Sequence, residues 1–163
     1  MASTAAALKA QYDLNTRLYN NVLQGITDGE SNNRNNENVN HIKWVAGHLL
    51  STRLENMNQL TGGEPDRTYV EKFGRNSKLD PTGASYPSLE ELTAKWNEVS
   101  PSISERILQI PEELLDSKAP AQSPIPDETF RGLLAFIVSH EAHHVGQLSI
   151  LRKLAGKDAM SYN

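Results

Sequence analysis

The sequence predicts an all-α fold, a four-helix bundle with residues 1–163 forming one domain. Four stretches place apolar residues at steps of three and four, the period of a helix with one buried face. No stretch alternates apolar and polar residues as a half-buried strand does. The breaks between the four are rich in Gly, Pro, Asn and Asp. A chain of 163 residues is long enough to bury a real core, and four amphipathic helices bury their faces by packing on one another.

The first helix is expected from about Thr4, with Leu8, Tyr12, Asn15, Tyr19, Val22 and Ile26 on one face. Residues 28–37 (DGESNNRNNE) are polar and Asn-rich, and read as a connection. A second helix is expected from about Val39 to Leu60, with Ile42, Val45 and Leu49 inward and a stop at Gly62-Gly63. No sustained period runs through 64–87. Ser88-Leu89-Glu90-Glu91 reads as a capping box, in which hydroxyl and carboxylate each take the other residue's amide. Behind it Leu89, Leu92, Trp96, Val99, Ile103, Ile107 and Ile110 form a third stripe, ended by Pro111. Pro101 removes one backbone hydrogen bond from it, so a kink is expected there. Residues 119–126 (APAQSPIP) are a Pro-rich connector, and a fourth helix is expected from about Glu128 to Leu154, ending at Gly156. The link of roughly 24 residues between the second and third helices can span the bundle's length, which permits an up-down-down-up course.

Composition excludes several functions. Net charge is −4 and the basic residues are scattered, unlike the clustered positive footprint that nucleic acid demands. No apolar run approaches the roughly 20 residues that cross a bilayer. The opening MASTAAALKAQYDLN has no basic region followed by an apolar one, so no secretory signal is expected. There is no cysteine, hence no disulfide, thiolate ligand or protein thiol nucleophile, and a reducing cytoplasm is the expected location. A transition-metal site in this chain must use His and carboxylate ligands.

All five histidines fall on two helices: His41 and His48 on the second, His140, His143 and His144 on the fourth. The inward stripe of the fourth is Leu133, Ile137, His140, His144, Leu148 and Leu151, so His140 and His144 occupy core positions one turn apart. A single buried His is ordinarily a hydrogen-bonded core residue. Two at this spacing suit two positions on one metal, and without it would leave polar nitrogens needing partners in an apolar core. His41 and His48, seven apart, share the face of Val45, and either can supply a third imidazole from across the bundle.

His140-Glu141-Ala142-His143-His144 also spells the zinc-protease pattern H-E-x-x-H. The longer protease pattern requires Gly at 147 and His at 150, where the chain has Gln147 and Ile150. The alternative third ligand, a Glu some way downstream, is also missing: no Glu or His follows His144. No strand pattern offers an edge to hold a peptide. The protein is not expected to be a zincin protease.

His140-Glu141-x-x-His144-x-Gly146-Gln147-Leu148-x-x-Leu151-Arg152, with Asn40-His41-x-x-Trp44-x-x-Gly47-His48-x-x-x-x-Arg53 upstream, resembles the DinB/YfiT-like superfamily. The resemblance implies an up-down-down-up four-helix bundle with a three-histidine metal site, and no DNA-polymerase activity. Carried over by position, it makes His48, His140 and His144 the ligands of a divalent transition metal, Zn or Ni first, with Fe and Co acceptable. It also implies a metal-dependent transferase or isomerase that uses a low-molecular-weight thiol, with a small molecule as partner and a homodimer as a compatible assembly. Three neutral imidazoles leave a coordination position open, as catalytic sites do. Glu141, about 100° round the helix from His140, is the candidate catalytic base or hydrogen-bond acceptor for a ligand ring, against a plain solvated carboxylate. Gln147 is placed to hydrogen-bond near the metal. Arg53 and Arg152 are expected in inter-helix salt bridges, with a substrate carboxylate as the other role. Gly47 and Gly146 each cost a helix about 1 kcal/mol against Ala, and close helix approach is the expected return. The 64–87 connection is expected either to cover the pocket or to serve only as crossover. The alternative to an enzyme is a non-catalytic metal-binding bundle with a sensor, partner-binding or structural role.

Overall fold

Seven helices form along the chain in a computed structural model that describes residues 3–64 and 66–163. Four are long: α1 (Thr4–Leu23), α3 (Ile42–Thr61), α5 (Leu89–Leu108) and α7 (Phe130–Leu154). Three are short: α2 (Asp28–Ser31), α4 (Arg67–Phe73) and α6 (Glu112–Leu115). Among the described residues there is no strand, only an isolated antiparallel bridge between Lys118 and Thr129.

Local chemistry sets the boundaries. Ser3 caps α1 by accepting from the Ala6 amide. Ser88 and Glu91 close the expected capping box on α5. Thr27 and Glu30 close a second box that starts α2, inside the stretch read as plain connection. Helix α3 begins three residues later than expected because His41 is its N-cap, and Gly62 ends it with φ +70°. Helix α7 begins at Phe130 because Thr129 caps it. No break falls at Pro101: α5 runs through it, with Pro101 and Asn97, whose carbonyl loses its partner, both facing solvent.

Helix α1 packs against α5 and α7, and α3 packs against the same two, so the four long helices close into a ring. Several bonds fix their relation. Tyr19 reaches Ala46 O at 3.4 Å, and Tyr12 accepts from Asn56. Trp96 reaches Thr16 O at 3.4 Å, and Ser104 reaches Asp13. Arg131 reaches Thr4, Asn15 reaches Val138 O, and Arg152 reaches Val22 O. The apolar interior forms two clusters, one around Tyr19, Trp44, Leu49, Phe73 and Trp96, the other around Leu8, Ile103, Ile107, Leu134 and Ile137.

Arg53 and Glu141 form a polar layer in this interior, their side chains 1% and 0% exposed. Arg53 Nε and Nη2 donate to Glu141 Oε1 and Oε2 at 2.7 and 2.9 Å. The other Arg53 donors reach Thr16, Ser100 and the Tyr12 carbonyl, and the guanidinium lies 3.6 Å over the Trp96 ring. One pair thereby ties all four long helices.

Candidate metal centre

Three of the five histidines meet. His48 comes from the middle of α3, His140 and His144 from successive turns of α7. His140 Nε2 lies 3.3 Å from His48 Nε2 and 3.1 Å from His144 Nε2. One ligand atom from each of the three falls within 4.8 Å of the others.

The outer ring nitrogens determine what faces inward. His48 Nδ1 lies 2.7 Å from Phe73 O; a carbonyl only accepts, so Nδ1 carries the proton and Nε2 is a lone pair. His144 Nδ1 donates in the same way to Gln147 Oε1 at 2.7 Å. His140 Nε2 sits between those two lone pairs, and a neutral ring offers it one proton at most. Its Nδ1 is buried with no partner among the described residues. One inward lone pair therefore stays unmatched, at a cost of about 1–3 kcal/mol for a buried polar atom. A divalent cation matches all three lone pairs together, and three imidazole nitrogens are a donor set that Zn, Ni, Fe and Co accept. The residues present fit such an ion.

Electrostatics keep the rings in the ligand form. Burial, then the neighbouring imidazoles, push the pKa of His140 down to about 4. Burial does the same to His144, to about 4, against the opposing hydrogen bond that its Nδ1 donates to Gln147. Burial also lowers His48, opposed by the Phe73 carbonyl. Trp44 stacks on His48 with ring centroids 5.0 Å apart and planes 5° from parallel, which fixes the imidazole plane.

His41 does other work. Its Nδ1 accepts from the Trp44 amide at 3.0 Å and its Nε2 meets Asp80 O at 3.0 Å, so it caps α3 and pins the crossover. His143 is exposed, with its Nε2 accepting from Gln147. Glu141 is neither beside the three imidazoles nor in solvent: Arg53 and Asn15 occupy its oxygens. As an acceptor for a ligand ring or a solvated carboxylate, the expectation is corrected, because the residue lies on the α7 stripe that faces α1. Arg53 makes the inter-helix salt bridge expected of it. Arg152 makes none among the described residues; it caps the end of α1 by donating to the Val22 and Gln24 carbonyls.

Gly47 does permit the close helix approach expected of it, here by the ring of Phe73, the last residue of α4. A Cβ there would lie 2.2 Å from Phe73, the residue whose carbonyl holds His48. Gly146 meets nothing within 4 Å, so the close approach expected there is absent.

The three histidines open on a cleft of about 1180 Å³, walled on one side by crossover residues 70–77 and on another by connector residues 121–124. Residues 70–77 of the crossover thus cover one side of the site. Glu55 also lines the cleft, and the sequence reading did not single it out. Its seven-residue spacing from His48 puts it on the same helix face, which alone carries no functional signal.

Fold and site define an all-helical bundle with a three-histidine centre suited to a transition metal at the base of a cleft. The profile of the DinB superfamily matches residues 11–148, and the chain belongs to that superfamily. A search of curated proteins found no match. No described helix is long and apolar enough to cross a membrane.

Proposed function

We propose that the protein is a divalent-metal-dependent enzyme that joins a low-molecular-weight thiol to an electrophile, or isomerises a substrate through such a thiol. The observation that carries this reading is the convergence of three imidazole lone pairs at a cleft of substrate size. His48, His140 and His144 would hold Zn or Ni, with Fe and Co also suited, and leave a position open as catalytic sites do. When bound, the ion supplies Lewis acidity that lowers the pKa of a thiol from its free value of about 8.5.

The chain's own residues orient and enclose. Phe73 O and Gln147 Oε1 hold His48 and His144 in the tautomer that presents Nε2. Trp44 and the crossover wall limit water at the reacting end. The chain has no cysteine, so the sulfur nucleophile arrives with the cosubstrate. The contacts between α1 and its neighbours support an up-down-down-up course for a single domain, and a cytoplasmic setting suits thiol chemistry.

The test is metal-dependent consumption of a thiol with a chlorinated aromatic or maleyl-type electrophile. Its controls are the His144→Ala variant and free metal at equal concentration. Faster turnover by the metal-loaded protein supports the enzyme. Equal rates in all three leave a non-catalytic metal-binding bundle, all the more if removing the ion merely unfolds it.

A further inference from the structure

Glu55 lies seven residues after His48 on the same face of α3, about 10 Å further along the helix axis. It lines the cleft and is half-buried. Burial alone acts on its carboxyl group and raises its pKa; no donor or cation among the described residues offsets it. Asp28, Glu30, Asp80, Glu91 and Asp127 all have hydrogen-bond donors that hold their carboxyls low.

Two neighbours share the deficit. Asn56 and Gln59 also line the cleft, and Asn56 Oδ1 and Gln59 Oε1 are buried without a hydrogen-bond partner among the described residues. Asn56 is 1% exposed and spends its amide nitrogen on Tyr12 Oη, which leaves Oδ1 as the unmatched end. The nearest basic residue in sequence, Arg53, is committed to Glu141, Thr16, Ser100 and Tyr12. Arg75 also lines the cleft, but its charge does not offset the burial that raises the Glu55 pKa. The Glu55 end thus presents a carboxylate with no offsetting positive charge, backed by two buried amide oxygens without partners among the described residues.

We propose that this end of the cleft binds a protonated primary amine of the substrate, with Glu55 as counter-ion and Asn56 and Gln59 as further acceptors. An ammonium group has three N–H donors and one positive charge, which matches the three acceptors and the one carboxylate. The substrate is then a bifunctional molecule whose reacting group meets the histidine centre about 10 Å from its amine. Only the identity of that reacting group rests on the thiol reading above.

Calorimetric titration tests this with aminohexanethiol and hexanethiol, which differ by the amine alone. Zn-loaded protein should bind aminohexanethiol at least about tenfold tighter than hexanethiol. Glu55→Gln should abolish that advantage and leave hexanethiol affinity unchanged. Gln59→Met, a second variant in case the first melts early, should lose part of it. Equal affinity for the two thiols in the unmodified protein, or an advantage that survives Glu55→Gln, overturns the proposal. If neither thiol binds, the thiol reading fails, and hexylammonium titrated into the metal-free protein decides the subsite. Glu55-dependent binding of hexylammonium supports it, and no binding, or equal binding by the Gln variant, overturns it.

Discussion

Replacing Glu141 by Gln removes one charge from the Arg53 pair and little else. The guanidinium, 1% exposed, stays in place with its bonds to Thr16, Ser100 and Tyr12, but without a counter-charge. A buried pair broken on one side loses about 3–5 kcal/mol, because the remaining charge is desolvated and uncompensated. For a domain of this size about 2–4 °C of melting temperature goes with each kcal/mol, so the midpoint should fall by about 6–20 °C. Thermal and urea denaturation followed by far-UV circular dichroism measure this, on metal-free protein so that ion binding does not add to the stability. A loss below about 1 kcal/mol would contradict the buried-pair account. If the same variant lost all activity while melting normally, Glu141 would return to the catalytic role that its place in the H-E-x-x-H spelling suggested.

Two glycines should respond in opposite directions. Gly47→Ala forces a Cβ to 2.2 Å from the fully buried Phe73 ring and should cost about 1–3 kcal/mol. Gly146→Ala meets nothing and should gain about 1 kcal/mol in helix propensity, both read from urea midpoints. A pH dependence follows from His140 and His144, whose folded pKa of about 4 lies below the unfolded value of 6.5. Above pH 6.5 both states are neutral and nothing is lost. Between 6.5 and 4 the unfolded chain takes protons that the folded chain refuses, so metal-free protein should lose stability across that window. Changing both histidines to Asn should flatten the curve.

The long helices were legible because each buries a stripe at a helical period. The three short ones were not, since four to seven residues carry no period; only the Thr27-x-x-Glu30 box betrayed α2. His140 and His144 were legible as a core pair. The choice of His48 over His41 could not come from spacing, because seven residues return to the same face. It depends on where α3 begins: His41 has extended backbone, φ −76° and ψ 162°, and its ring is spent on the cap. Glu141 was misjudged because α7 buries two stripes and only the histidine-bearing one was followed. Leu134, Val138 and Val145, all buried, flank Glu141 on the second stripe at steps of four and three. Glu55 needed the cleft itself, since one carboxylate on a helix face says nothing until its surroundings are known.

The central claim is that His48, His140 and His144 hold one metal ion. The most direct test is metal content per chain, measured by mass spectrometry after loading with Zn or Ni and desalting. The unmodified protein should carry one ion per chain. His48→Ala, His140→Ala and His144→Ala should each carry far less, while His143→Ala should stay loaded. His41→Ala should also stay loaded, although losing the cap lowers stability by about 1 kcal/mol. Full occupancy in His48→Ala together with loss in His41→Ala would contradict the centre described.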